Sequence, residues 1–310
     1  MTRPEFPPPF PVEESKNTAP RDLAHCDGQA AKGLVIVEQL EGLPHDKAVV
    51  GRKVQARPEV SKVVTGDEIM HLQPIGLGIV TPSGNSVIER DYPRLALSEV
   101  GFHFTRVFNS EDTAQQLSGM KAQAADAARL LGHVRYMKAI GFACTSGSFL
   151  EGLGYDESIV ALMEEASGLP CVTTSGSVLT ALRALGLRNL AVFSPYEEWL
   201  SNRLTAFLES HGVGVSYHAW GFDMDSTEEL DRWGPINDWV IPKIPDSADG
   251  VFISCTNFTW LKGIKPLEQR LGRAVITSNL ATLWNMLHVA GAGGRLSGEV
   301  ARLADVRPVE

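Results

Sequence analysis

This 310-residue sequence has few cysteines, no excess of basic charge and no long apolar run. Each absence removes a class of function. Cysteine occurs only at Cys26, Cys144, Cys171 and Cys255, with no Cys-x-x-Cys pair and no Cys/His cluster. Such spacing predicts neither a disulfide framework nor a zinc site. The 28 lysines and arginines against 37 aspartates and glutamates give a formal charge of −9. That balance argues against nucleic acid or an anionic membrane as partner. No apolar stretch approaches the roughly 20 residues of a membrane span, and Met1-Thr2-Arg3-Pro4 opens no apolar signal core. A cytoplasmic protein with free thiols is therefore expected. The Gly76–Gly78 pair lacks the rest of a dinucleotide fingerprint and sits inside an apolar run, so no nucleotide cofactor is expected either.

What is present is a matched pair of cysteines. Cys144 lies in Ala139-Ile140-Gly141-Phe142-Ala143-Cys144-Thr145-Ser146, and Cys255 in Gly250-Val251-Phe252-Ile253-Ser254-Cys255-Thr256-Asn257. Each follows an apolar run of strand length and precedes small hydroxyl or amide residues suited to a helix N-cap. A thiol there lies in a positive dipole field, which predicts a lowered pKa and fast alkylation. Two such thiols facing one another can serve as nucleophile and acid, or as acid and base. Either one alone would most often be a small buried hydrophobe. Cys171 reads as core, and Cys26 as part of an arm without function.

Residues 1 to about 25 are rich in Pro and charge and read as a flexible arm. Short β-prone pieces between Gly33 and Val64 have no clear place in the main fold. From Pro74 the pattern becomes regular. Strands are predicted over 75–80 and 102–107, a helix over 112–138, the Cys144 strand, a helix over 157–166, a strand over 170–173 and a helix over 177–185. The order then repeats: strand 189–193, a capping box at Ser194-Pro195-Tyr196-Glu197 opening a helix to Ser210, strand 214–218, the Cys255 strand, and Ala274–Asn279 leading into a helix that ends near Gly291.

Landmarks recur roughly 110 residues apart: a strand–Pro turn at Pro82 and Pro195, the Cys-Thr turns, and a Thr-Ser turn at Thr174 and Thr277. The expected fold is α/β: two similar Rossmann-like halves with parallel sheets related by a pseudo-twofold, and an active site in the cleft between them. The expected division is an extension over 1–73, a first half over 74–186 completed by a C-terminal helix over 279–292, and a second half over 187–278.

Candidate contacts flank the cysteines. Thr145, Ser146, Thr256 and Asn257 are potential caps whose backbone N–H groups can also hold a carboxylate. Ser83 and Asn85 lie in the turn after the first strand, and Asn85 can grip a carboxylate or enolate. Tyr196, beside its Pro turn, is expected at the cleft mouth. His103 and Arg106 read as structural, and the scattered tryptophans as packing. No lysine or arginine lies within five residues after either Cys-Thr, so amides and hydroxyls are expected to hold an anionic substrate.

Together, Gly78-Ile79-Val80-Thr81-Pro82-Ser83-Gly84-Asn85, Ala143-Cys144-Thr145-Ser146-Gly147-Ser148, Ser194-Pro195-Tyr196 and Ser254-Cys255-Thr256-Asn257 resemble the aspartate/glutamate racemase superfamily, and within it the maleate cis–trans isomerases and arylmalonate decarboxylases. The resemblance covers residues 74 to 292. It implies that Cys144 adds to the alkene of a maleate-like dicarboxylate while Cys255 supplies and later removes a proton. Asn85 and Tyr196 would bind carboxylates, and no cofactor would be required. Racemases of the superfamily carry an Asp-Ser-Gly turn where this chain has Pro82-Ser83-Gly84, and a His where it has Asn257. The missing acid counts against an ammonium-bearing substrate. Arylmalonate decarboxylases have glycine in place of Cys144. The isomerases place a binding Asn in the loop corresponding to 221–229, which here has none; relatives linked to ectoine breakdown share that departure. A cis–trans isomerase is the leading expectation. A racemase or epimerase, a decarboxylase and a non-catalytic carboxylate-binding protein are the alternatives, and a homo-oligomer is expected.

Overall fold

The computed structural model describes residues 74–221, 233–259 and 261–309. The arm, the β-prone pieces before Val64 and most of the 221–229 loop lie outside them. Eight strands form two four-stranded parallel sheets. The first contains β1 (Ile75–Pro82), β2 (Val100–Val107), β3 (Met137–Phe142) and β4 (Cys171–Thr173), in the order β2-β1-β3-β4. The second contains β5 (Asn189–Phe193), β6 (Gly214–Ala219), β7 (Gly250–Ile253) and β8 (Ala274–Thr277), in the order β6-β5-β7-β8. The two sheets thus repeat one topology, as the recurring landmarks require.

Nine helices are described: α1 (Ile88–Arg94), α2 (Ala114–Gly132), α3 (Thr145–Phe149), α4 (Tyr155–Ser167), α5 (Thr174–Leu185), α6 (Glu198–Ser210), α7 (Trp233–Val240), α8 (Leu261–Leu271) and α9 (Ser278–Val289). The central strands are near-continuous apolar runs because helices cover parallel sheets on both faces. Leu77, Ile79, Ala139, Ile140, Phe193, Val251 and Ile253 are all fully buried. The Gly76–Gly78 pair belongs to this packing. A Cβ on Gly78 would stand 3.1–3.2 Å from Leu131, Ile140 and Met137.

Two sequence expectations are corrected. The helix predicted to reach Lys138 ends at Gly132, because Gly76 and Leu77 of β1 pair with Met137 and Ala139 and draw that segment into β3. The Ser194 capping box does not form. Helix α6 starts at Glu198 after an uncapped Glu197, and the buried Ser194 hydroxyl instead pairs with His218 Nε2 at 2.9 Å and Ser201 Oγ at 3.2 Å. A hydroxyl shut inside the layer takes the partners it can reach. Helices α1, α7 and α8 had no clear sequence signal; α1 and α8 each contain an internal proline.

In each sheet the chain leaves its first strand toward one edge and returns to the other side. The crevice at such a switch point, beyond the carboxyl ends of the strands, is where ligands bind in open α/β sheets. The four strands bordering the two crevices are β1, β3, β5 and β7, and they end at Pro82, Phe142, Phe193 and Ile253. Helix α9 follows β8 of the second sheet yet packs on α5, β3 and β4. Gly141 makes room for it, since a Cβ there would meet Met286 Sδ at 2.5 Å.

Candidate active site

The ends of those four strands line one cavity of about 370 Å³. Cys144, Thr145 and Ser146 come from the end of β3, Pro82, Gly84 and Asn85 from β1, Pro195 and Tyr196 from β5, and Cys255, Thr256, Asn257 and Phe258 from β7. Both cysteines therefore face one space. Ser83 is not among the lining residues. Its hydroxyl donates to the Asn109 carbonyl at 2.8 Å and accepts from the Asn109 amide at 3.0 Å, tying the β1 loop to the segment after β2.

Cys144 is the N-cap of α3, and its sulfur accepts the Gly147 amide at 3.3 Å. Cys255 accepts the Asn257 amide at 3.4 Å. Its backbone φ of +111° lies where non-glycine residues rarely go, strain of a kind that gathers at functional sites. Ser278, the first residue of α9, joins the two turns. Its Oγ receives the Thr145 hydroxyl at 2.9 Å and the Cys255 amide at 3.0 Å.

Asn85 is largely committed to the fold. Its Oδ1 accepts the amides of Val87 and Ile88 at 3.0 and 3.1 Å, and its Nδ2 donates to Thr256 Oγ1 at 3.1 Å. One amide hydrogen is left for a ligand. Thr256 passes its own proton to the Ala143 carbonyl at 3.1 Å, and Asn257 Oδ1 accepts the Ser86 amide at 3.0 Å. The two halves are thus stitched together around the cavity by the residues that line it. Tyr196 is not at the mouth but buried, with its hydroxyl 3.1 Å from Ser254 Oγ. Burial, followed by the neighbouring Cys255, pushes its pKa well above that of free tyrosine, so it acts as a neutral donor.

The expectation of lowered thiol pKa values is overturned. Burial pushes Cys144 up to about 11 against the opposing hydrogen bonds from Ser146 and Gly147, and the charge of Asp112 adds to the rise. Cys255, only half-buried by its exposure, is pushed up to about 12, again chiefly by desolvation. The dipole of a one-turn helix is too small to offset loss of water from the sulfur.

Arg106 is structural, as expected, but close to the site. Its Nη1 donates to the carbonyls of Ser83 and Asn85 at 2.9 and 2.8 Å, while Nη2 pairs with Glu89 at 2.5 Å. It shapes the loop that carries Asn85. Arg106→Met is expected to lower kcat/KM about tenfold, about 1.4 kcal/mol, with most of the change in KM. Steady-state kinetics checks this, and an unchanged KM would remove Arg106 from the positioning of Asn85.

Sequence reasoning missed Ser278 and the segment after β2. The signal for Ser278 was the recurring Thr-Ser turn. Asn109, Ser110, Glu111 and Asp112 also line the cavity, and Asp112 supplies an acid to a site whose turn after β1 lacks one. It stands on an exposed rim, yet burial of its carboxyl comes first among the causes that raise its pKa. Among the described residues, no lysine or arginine lines the cavity, and no group of three or more His, Cys, Asp or Glu is arranged to hold a metal. No described helix is long and apolar enough to cross a membrane.

Residues 77–303 match a family model described as arylmalonate decarboxylase. The arylmalonate decarboxylase of Bordetella bronchiseptica is 34% identical over 182 residues, covering 56% of this chain and 75% of that protein. A maleate isomerase from Geobacillus stearothermophilus is 24% identical over 72% of this chain and 97% of its own length. A variant of the maleate cis-trans isomerase of Nocardia farcinica, solved with a covalently bound succinylcysteine intermediate, superposes with a TM-score of 0.67 at 22% identity, over 74% of this chain and 98% of that one.

Proposed function

The chain belongs to the arylmalonate decarboxylase family, and within that family we propose that it is a cofactor-independent isomerase of a small carboxylate that works through Cys144 and Cys255. The observation that carries this reading is the convergence of both thiols, one from each half, on a single cavity. The family's decarboxylases are expected to have glycine where this chain has Cys144, so retention of both thiols favours isomerisation.

The reactive form carries one proton on the pair: Cys144 as thiolate, Cys255 as thiol. The Cys144 sulfur forms a bond to one alkene carbon of a cis-unsaturated acid, and the π electrons move to the other carbon. That carbon takes the proton from Cys255. The former double bond is now single and rotates. Cys255 removes a proton from the same carbon, the double bond re-forms in the trans geometry, and the C–S bond breaks to return the Cys144 thiolate. The succinylcysteine of the Nocardia farcinica relative is the species such an addition to maleate leaves. The remaining Asn85 amide hydrogen, the orphan amides at the start of α3 and the Tyr196 hydroxyl hold carboxylate oxygens and stabilise the charge that develops on them. The Thr145, Ser146, Thr256 and Asn257 side chains keep these donors in place.

A second reading has the same thiols act as acid and base on the two faces of a Cα–H bond, which is racemisation. The acid at the cavity rim, Asp112, favours it. Proton NMR of maleate with the purified protein in deuterated water separates the two. Fumarate is the expected product. Deuterium at Cα of an amino acid without any fumarate would replace isomerisation by racemisation. Neither product, with Cys144 inert to alkylation even at high pH, would overturn two-thiol chemistry altogether.

A further inference from the structure

The two thiols are held differently, and we propose that Ser278 is the positioning residue that fixes Cys255 in a strained backbone conformation and so aims its sulfur at the reacting carbon. The inference rests on the two-thiol reading of the cavity and adds a residue behind its wall. Ser278 is fully buried and is not among the lining residues, so it acts only through what it holds.

Cys255 keeps a φ of +111°. A residue other than glycine stays at such a φ only where its surroundings over-determine it. Here both sides of the rotating bond are clamped. On one side the Cys255 amide donates to Ser278 Oγ at 3.0 Å. On the other, Thr256 Oγ1 donates to the Ala143 carbonyl at 3.1 Å and Asn257 Oδ1 accepts the Ser86 amide at 3.0 Å. Because φ turns the amide against Cβ, relaxation must swing the amide off Ser278 or swing the sulfur out of place. The same Ser278 oxygen accepts the Thr145 hydroxyl at 2.9 Å. One atom thus fixes Cys255 relative to the turn that carries Cys144.

The ordinary role for a hydroxyl at a helix start is capping, but Thr277 already caps α9, its side chain accepting the Leu280 amide at 3.1 Å. The Ser278 hydroxyl is not needed for that. The first half supplies an internal control. Its counterpart of Ser278 is Thr174, the first residue of α5 after the N-cap Thr173. Thr174 Oγ1 donates to the Phe142 carbonyl at 3.2 Å and accepts the Thr282 hydroxyl at 3.0 Å. Neither partner is an amide of the Cys144 turn, and Cys144 has an extended φ of −141°. Strain is present in the half where the helix hydroxyl holds the cysteine amide, and absent in the half where it does not.

A double-mutant cycle on the full chain, with maleate as substrate, tests the proposal. Ser278→Ala is expected to lower kcat at least about 30-fold while KM changes less than about threefold, and to accumulate an adduct on Cys144. Cys255→Ser acts on the same step, so adding Ser278→Ala to it should slow turnover by no more than about threefold further. Ser278→Thr keeps the oxygen and matches the residue of the first half, so turnover should return to within about fivefold of the wild type. A second measurement needs no substrate. The urea midpoint should fall less when Ser278→Ala is made in the wild type, where relaxation of Cys255 offsets part of the lost hydrogen bond, than in Cys255→Gly, which has no strain to release. Wild-type kcat in Ser278→Ala, losses that multiply in the double variant, or equal midpoint shifts in the two backgrounds would each overturn the proposal. Failure of the two-thiol reading looks different: Cys255→Ser would turn over like the wild type, or maleate would not react, while the difference in midpoint shifts remained.

Discussion

Cys144→Ala leaves the folded protein without measurable turnover, a loss of at least about 10⁴-fold, because the step that converts a rigid double bond into a rotatable single bond has no other nucleophile. Cys255 also lines the cavity but serves the proton at the other carbon, and the hydroxyls of Thr145 and Thr256 are already donated to Ser278 and to the Ala143 carbonyl. Cys255→Ser has a different signature. The Cys144 sulfur can still add, but an alcohol gives up its proton far less readily than a thiol and removes it again more poorly. Turnover should fall by about 10³-fold, and an adduct one substrate molecule heavier should accumulate on Cys144. Intact-protein mass spectrometry after incubation with maleate reads this out. Ordinary turnover in either variant would end the two-thiol mechanism. Cys255→Gly is a useful control, since glycine accepts the +111° φ without strain. It should be inactive yet no less stable than Cys255→Ala.

The second large effect is on pH. The reactive pair must lose one proton, and burial holds Cys144 at about 11 and Cys255 at about 12. Iodoacetamide labelling of Cys144, and kcat/KM with it, should therefore rise about tenfold for each pH unit from neutral to beyond pH 9, where a free thiol near 8.5 has already levelled off. Across that range the increase exceeds about a hundredfold. A plateau below pH 8 would mean that the amides of Gly147 and Asn257 outweigh burial after all. Stability moves the opposite way. Both thiols have folded pKa values raised above the unfolded one, so their neutral forms favour the fold. Their contribution is complete below about 8.5 and is lost as pH climbs through 11 to 12. Chemical denaturation at a series of alkaline pH values should show the midpoint falling over that window. Cys144→Ala should flatten the fall.

Most of the strands were legible because a parallel sheet covered on both faces writes itself as apolar runs. β5 over Asn189–Phe193 is the plainest case. Glycines at φ near +70° after α4 and α5, Gly168 and Gly186, ended two helices where the sequence placed their ends. The boundary between α2 and β3 was not legible, since strand pairing with Gly76 and Leu77 is a tertiary effect that no local pattern records. The Ser194 box failed for a related reason: a correct local motif lost its cap to a buried histidine brought from β6.

At the site, the sequence by itself determined the chemistry available: two cysteines in matched turns, amides and hydroxyls around them, and no cationic grip close by. These are properties of residue type and of position relative to strand ends, and both can be read in one dimension. Tertiary structure alone decided three things. It packed protein around both sulfurs, burying Cys144 and half-burying Cys255, so desolvation outweighed the helix dipole and raised thiol pKa values that were expected to be lowered. It placed Ser278, from the start of the last long helix, between the two cysteine turns. It also carried Asp112 and Asn109 from the end of an edge strand to the rim of the cavity, supplying the acid that the first turn lacks. Solvent exclusion and the meeting of distant strand ends depend on the whole packed chain, and for that reason neither has a local signature.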